Sequence, residues 1–250
     1  MTEKDIKATE INNNDKTADV EMQFLVKEAE KSGIVLSHKQ CLLFEQFYSL
    51  VVEKNKVMNL TSITERKDFF IKHLIDSILP QKFINHSASV LDLGCGGGFP
   101  SIPLKIVRPD LKITAMDATN KKVEFVNEAI LALGLENCVA VTARAEEAGQ
   151  GKLRSSFDAV VSRAVANMSQ LMELALPLVK VGGIFLAYKT EAKEVENIEN
   201  ATQILGSVLE SVEPATLPNG DSRCFFLFRK KAEINEKYPR NFGQIKKKPL

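Results

Sequence analysis

The residues of this 250-residue chain best placed to do chemistry lie in LDLGCGGGFP, residues 91–100. Gly94, Gly96, Gly97 and Gly98 follow an apolar run that reads as a strand. Glycine weakens regular structure, so the cluster marks backbone that a ligand approaches closely, or else a plain strand-to-helix turn. The dinucleotide fingerprint G-x-G-x-x-G fails here. Counted from Gly94 its third glycine falls on Phe99, and counted from Gly96 on Ser101. The run is instead G-x-G-x-G, with Asp92 two residues upstream and Phe99-Pro100 behind it. Asp117 ends the next strand-like run, KITAMDA (112–118). A carboxylate there suits the paired hydroxyls of a ribose, or caps a helix before Lys121 and Lys122. Glycines and acid together favour a nucleoside cofactor without a pyrophosphate, of which S-adenosylmethionine is the commonest.

The elements that must hold these positions change character along the chain. Residues 1–20 are polar, Asn-rich and nearly free of large apolar groups, and read as a disordered extension. Residues 21–86 carry a helical period. Ser37 with Gln40 has the capping-box spacing, and Phe44, Phe47, Tyr48 and Val51 follow at i, i+3, i+4 and i+7. A second helix is expected with Thr64 as N-cap, Ile71, Leu74, Ile75 and Ile78 on one face, and Pro80 beyond its end. From Ser89 short β-rich runs (89–94, 112–118, 138–143, 157–164, 183–189, 223–230) alternate with helical stretches (102–107, 120–133, 168–180, 191–206). Apolar strands of this length suit a parallel sheet covered on both faces. The chain therefore reads as an α/β doubly wound domain over 87–231 with an N-terminal helical cap over 21–86. Residues 232–250, which include YPRNFGQIKKKPL, show neither period nor core material and read as a basic arm.

With 44% hydrophobic and 26% charged residues there is material for one sizeable core. A net charge of +1 excludes a globally basic nucleic-acid binder and leaves local patches open. Arg229, Lys230, Lys231, Lys237, Arg240, Lys246, Lys247 and Lys248 are opposed only by Glu233 and Glu236. That concentration suits phosphate contacts, or a solubilising tail. Cys41, Cys95, Cys138 and Cys224 lie far apart without metal-ligand spacing, so neither a metal nor a disulfide framework is expected. The first residues lack an apolar signal core and no run approaches membrane-spanning length, so a cytoplasmic protein away from membranes is expected.

DLGCGGGFPSIPLKIVRPD, NLTSIT (59–64) with KHLIDS (72–77), RAE (144–146), SRA (162–164) and the terminal YPR…KKKPL resemble, in order, the RsmG (GidB) family. That family comprises bacterial small-subunit rRNA guanine-N7 methyltransferases, and the resemblance covers about residues 22–250. It implies a Rossmann-like S-adenosylmethionine-dependent methyltransferase sheet, mostly parallel with an antiparallel last strand. It also implies 16S rRNA or a small-subunit particle as partner, methylated at N7 of a guanine in the decoding-region loop. The family's cofactor site falls on Gly94, Phe99, Ala145, Glu146 and Arg163, beside the Gly96 and Asp117 that spacing singles out. Gly94 and Phe99 would meet the methionine part, and Ala145 and Glu146 the adenine edge. Arg163, at the end of the fourth strand, would meet the carboxylate. A first-turn acid is the plainer use of Glu146, and a surface ion pair that of Arg163.

What the sequence lacks agrees with that chemistry. No Asn-Pro-Pro-Tyr or Asp-Pro-Pro-Tyr run follows the fourth strand, where enzymes that methylate exocyclic amines hold the nitrogen; SRAV stands there. No cysteine has the Pro-Cys or Thr-Cys context of attack on a pyrimidine ring. Guanine N7 is an exposed lone pair without a proton to remove, so no general base is expected, and in-line placement supplies the acceleration. Candidates to orient the base are Asn59 and Thr61, whose plainer use is to cap or turn the chain, Lys189, which could instead contact a phosphate, and His73, Asp76 and Ser77. The last three stand at i, i+3 and i+4, opposite the apolar stripe of their helix. A solvated face with a local His–Asp pair is their plainer use. A methyltransferase for small molecules or proteins, an NAD(P) oxidoreductase and a non-enzymatic rRNA-binding module are the rival readings.

Overall fold

The computed structural model describes residues 19–163, 166–191 and 198–250. The extension expected over 1–20 lies outside the described residues except for 19 and 20, which already belong to the first helix, α1 (19–31). Helix α2 (His38–Asn55) starts on the expected capping box. Ser37 Oγ accepts from Gln40 N at 3.3 Å and Gln40 Oε1 accepts from Ser37 N at 2.8 Å. The exchange satisfies donors that a helix start leaves open, and it turns Phe44, Phe47 and Val51 inward.

The second helix departs from its expected form. Glu65, one residue past Thr64, is the N-cap, its carboxylate accepting from Lys67 N and Asp68 N. Helix α3 (Arg66–Phe69) widens into a π-turn over Phe70–Ile75, then continues as α4 (Asp76–Ile78) and a 3-10 turn at Leu79–Phe83. A π-turn shifts side chains off the α period. His73, Asp76 and Ser77 are therefore buried together with Ile71, Leu74, Ile75 and Ile78. The separate polar face expected opposite the apolar stripe is absent, and so is the solvated face that was its plainer alternative.

The sheet has seven strands in the order β3-β2-β1-β4-β5-β7-β6. They are β1 (Ser89–Leu93), β2 (Lys112–Asp117), β3 (Cys138–Thr142), β4 (Phe157–Ser162), β5 (Val179–Lys189), β6 (Ser207–Thr216) and β7 (Ser222–Lys230). Strands β1 to β5 pair in parallel, and β7 runs antiparallel between β5 and β6. Strand β6 corrects the sequence reading, which has a helix over 191–206 and no strand between 189 and 223. Among the described residues that helix is confined to α9 (Glu199–Ile204), and SVLESVEPAT forms an edge strand of alternating exposure. An edge tolerates Pro214, and its period-two pattern was the readable signal.

Helices α5 (Ser101–Val107), α6 (Asn120–Ala132), α7 (Ala145–Gln150) and α8 (Met168–Ala175) cover the parallel strands. Strand order reverses at β1, which lies between β2 and β4, so the loops after β1 and β4 diverge and leave a crevice at the carboxyl ends. The cap helices have no core of their own. Leu25, Phe44 and Phe47 share one cluster with Ile102 and Ile106 of α5 and with Val123 and Phe125 of α6. Residue 86 is thus no boundary in the core.

Residues 232–250 are not a free arm either. Ile234, Tyr238 and Ile245 are buried in the cluster that contains Met168, Leu171 and Met172 of α8, and α10 (Phe242–Lys247) is capped by Asn241. Three of the positive charges expected to grip phosphates are used internally. Lys230 is fully buried and donates to Val179 O and Ser155 Oγ, Arg229 pairs with Glu210, and Arg240 with Glu173. Lys231, Lys237, Lys246, Lys247 and Lys248 are exposed.

Candidate functional site

Strand β1 runs into a loop whose backbone favours glycine: φ is +79° at Gly94, +55° at Gly96 and +91° at Gly98. Gly94 N and Cys95 N both donate to Met116 O, at 2.8 and 2.9 Å, which ties the loop to the end of β2. A Cβ on Gly98 would lie 2.8 Å from Ile102 Cδ1, so that glycine serves packing. A Cβ on Gly94 or Gly96 would meet nothing within 4 Å. At Gly94 the open space is a cleft of about 240 Å³, lined by Gly94, Met116, Asp117, Ala145, Ser162 and Leu171 among others. A larger cleft, of about 450 Å³, lies by Ser37, Lys105 and Asn137, near the amino ends of β2 and β3. Ligands of open α/β sheets bind at the carboxyl ends, which selects the cleft at Gly94.

Asp117 Oδ2 accepts from Gly96 N at 3.1 Å and Oδ1 from Thr119 N at 2.8 Å. The carboxylate is thereby fixed at the edge of the cleft with lone pairs left over, while the N-cap of α6 is Thr119. Ala145 opens α7 and lines the same cleft. Glu146 follows in the first turn, half-buried and without an ion pair among the described residues.

Phe99 and Arg163 belong to an adjoining buried network. Phe99 stacks on His73 with ring centroids 4.3 Å apart and planes 16° from parallel. The Arg163 guanidinium, just past β4, lies 5.3 Å from the Phe99 ring centre. It donates from Nη1 to Lys72 O at 2.9 Å and Asp76 Oδ2 at 3.3 Å, and from Nη2 to His73 Nδ1 at 3.1 Å. With Nδ1 accepting, the ring proton sits on Nε2, which donates to Thr61 Oγ1 at 2.7 Å. The other Asp76 oxygen accepts from Arg223 Nε at 2.9 Å. Asn55 fixes the loop that carries Thr61, its side chain accepting from Leu60 N and Thr61 N and donating to Thr61 O. Asn55 and Arg223 escape the sequence reading, since neither sits on a periodic stripe and each finds its partner through the fold.

The remaining candidates separate. Ser77 is fully buried, its hydroxyl donating to His73 O and its carbonyl accepting from the Tyr188 hydroxyl. Lys189 is buried and donates to Ala166 O, and Asn59 is exposed. Burial first, and the Arg163 charge second, push the His73 imidazole down to about 3, so the ring is neutral, as its bonds require. An unfolded imidazole titrates near ~6.5. The folded state therefore binds fewer protons than the unfolded state between those values, and His73 costs stability as pH falls, by up to about 1.4 kcal/mol per pH unit. Asp92 acts in the opposite sense. Burial pushes its carboxyl from 3.8 up to about 7, so the folded state holds an extra proton in that range and gains stability as pH falls. His73→Gln removes one of the two opposing slopes. Its urea midpoint should rise between pH 6.5 and 4.5 relative to the parent protein, and parallel pH profiles would exclude a neutral His73 in the fold.

A family model described as "GidB: rRNA small subunit methyltransferase G" matches residues 40–220, from α2 through the glycine loop and Arg163 into β6 and the turn after it. The chain belongs to this family. Relatives named ribosomal RNA small subunit methyltransferase G from Staphylococcus epidermidis and Macrococcus caseolyticus are 44% identical over 235 residues, 92% of this chain and 98% of theirs. One from Streptococcus pyogenes is 43% identical over 91% of this chain and 99% of its own. Solved structures are more distant. TYW2 of M. jannaschii, in complex with AdoMet, is 18% identical with a TM-score of 0.51, covering 63% of this chain and 76% of that one. TYW2 of P. horikoshii, in complex with MeSAdo, is 16% identical with a TM-score of 0.52, covering 63% and 62%. These likenesses show the Rossmann-like sheet. As a member of the rRNA small subunit methyltransferase G family, the protein is an S-adenosylmethionine-dependent methyltransferase of 16S rRNA, with guanine N7 as the position methylated. No helix among the described residues is long and apolar enough to cross a membrane.

Proposed function

We propose that the cleft at Gly94 holds S-adenosylmethionine and that the network from Thr61 to Arg223 shapes the place where guanine N7 meets the methyl group. One observation carries this reading: two left-handed glycines face open space beside a carboxylate held by backbone donors. The residues fit the group. Asp117 has lone pairs for ribose hydroxyls and Met116 and Leu171 offer apolar walls to adenine, while Glu146, next to the lining Ala145 in the first turn of α7, can accept from its amino edge. Arg163 supplies a guanidinium for the methionine carboxylate. When bound, the cofactor supplies a methyl carbon on a sulfonium, which an in-line lone pair displaces as a neutral thioether.

The chain's own part is placement. N7 has no proton to lose, so none of Asn59, Thr61, His73, Asp76, Ser77 or Lys189 needs to act as a base. Neutral His73, fixed by Thr61 and Arg163, holds the Phe99 ring against the glycine loop. Asp76 holds Arg163 through one carboxylate oxygen while Arg223 holds the other. The exposed lysines at the end of α10 reach for phosphates, and the target is the decoding-region loop, met in the cytoplasm as RNA or as an assembling particle.

The test is chemical mapping of 7-methylguanine in small-subunit rRNA from cells with and without the protein. One guanine of that loop should lose its modification in the deletion strain. Purified protein with labelled S-adenosylmethionine should restore it on the RNA or the particle. Label restored at a different position, or on neither substrate, would overturn the reading.

A further inference from the structure

The C-terminal segment is anchored more firmly than phosphate contacts require. Glu173, inside α8, has a fully buried carboxylate. Arg240 meets it with three donors: backbone N and Nε reach Oε1 at 2.9 and 2.8 Å, and Nη2 reaches Oε2 at 2.6 Å. Arg154, in the turn after α7, donates from Nη1 to Gly149 O at 3.0 Å and Tyr238 O at 2.7 Å, and from Nη2 to Ile234 O at 2.6 Å. Gln150, the last residue of α7, donates to Glu236 O and Pro239 O, both at 2.9 Å. The approach is close, for a Cβ on Gly149 would lie 2.9 Å from Pro239 Cγ. The segment thus crosses α7 and α8 and is bonded to both.

Those two helices carry one wall of the cleft at Gly94. Ala145 opens α7, and Leu171 and Leu174 lie on either side of Glu173 in α8; all three line the cleft. With six and eight residues, α7 and α8 are too short to hold position by their own backbone bonds. A buried carboxylate is costly without a well-placed partner, so the Glu173–Arg240 pair accepts one docking geometry and penalises others.

We propose that Ile234–Ile245 is a positioning strap that fixes α7 and α8 and thereby sets the affinity for S-adenosylmethionine. This rests on the cofactor placement given above. Arg240 and Glu173 act through α8 and touch no ligand.

Full-length parent protein, Arg240→Ala and Arg240→Lys are titrated calorimetrically with S-adenosylmethionine well below their melting temperatures, and assayed at saturating RNA. Misplacement by about 1 Å at an oriented site costs up to ~100-fold, so a shift of one wall in Arg240→Ala should weaken cofactor binding and raise its KM about tenfold. Turnover at saturating cofactor should stay within about twofold. Arg240→Lys, which keeps the charge without the fork, should recover part of the loss. Gln150→Ala, a milder cut of the strap, should shift affinity in the same direction and serves if Arg240→Ala does not fold. A lower melting temperature with unchanged cofactor affinity would overturn the strap. A parent protein that binds no S-adenosylmethionine would refute the cofactor placement instead.

Discussion

Gly94→Val should abolish S-adenosylmethionine binding, by at least about 100-fold or ~2.7 kcal/mol, while the protein still folds. The backbone at Gly94 has φ of +79°, and a β-branched residue there is strained by roughly 1–2 kcal/mol. A domain with a stability of about 5–15 kcal/mol survives that loss. A Cβ at Gly94 has nothing within 4 Å, so the side chain starts into the open cleft and not against packed protein atoms. Whatever it excludes is therefore ligand. Gly134 supplies the matched control: its φ is +61°, a Cβ there also meets nothing within 4 Å, and it lines the larger cleft at the other end of the strands. Gly134→Val should cost similar stability and leave cofactor affinity intact. Calorimetry and urea melts on both variants decide the matter. Equal losses of affinity would mean that strain, not occupancy, is at work, and loss in Gly134→Val alone would move the cofactor to the larger cleft.

Asp76→Ala should be the most destabilising change in the network and should also cripple methyl transfer. The carboxylate is 3% exposed and stands between two guanidiniums, Arg163 at 3.3 Å and Arg223 at 2.9 Å. Removing it leaves two like charges without their shared anion, which costs about 3–5 kcal/mol for a buried pair, with the lower end apt because both arginines retain some solvent contact. Arg163 then loses one of its tethers beside Phe99, so the loss reaches the cofactor. Asp76→Asn, which keeps the volume and one acceptor, should fall between. Urea denaturation and kcat/KM for both variants are the measurements. An Asp76→Ala protein of parental stability with impaired RNA turnover alone would restore Asp76 to a direct role on the guanine.

The parts of this picture legible in the sequence are those where local rules and tertiary needs agree. The Ser37–Gln40 capping box, the glycines after β1 and Asp117 at the end of β2 each follow from short-range chemistry that the fold leaves unchanged. An α period through Phe70–Ile75 puts His73, Asp76 and Ser77 on an outward face, but the helix there is π and every residue of it except Lys72 is buried. No residue between Arg66 and Ile78 announces that change, and the partners that cover His73 and Asp76 there, Phe99, Arg163 and Arg223, come from elsewhere in the chain. The segment after residue 231 was misread for a related reason. Ile234, Tyr238 and Ile245 are too irregularly spaced for a helix or strand, yet all three are buried in the cluster that includes α8, and charges counted as free are matched by Glu173 and Glu210.

Strand β7 lies between β5 and β6, although it is the last of the three to be synthesised. A chain emerging from the ribosome therefore presents β5 with an open edge, and β6 with no neighbour, until Ser222–Lys230 has cleared the exit tunnel. The strands that floor the glycine loop, β3-β2-β1-β4-β5, are complete by residue 189 and can assemble during translation. The rest of the sheet cannot. A transcript truncated before residue 222, or a long pause there, leaves a strand edge in the middle of the final sheet available to other chains. Emergence of Ser222–Lys230, rather than any earlier step of synthesis, is the event that completes the sheet.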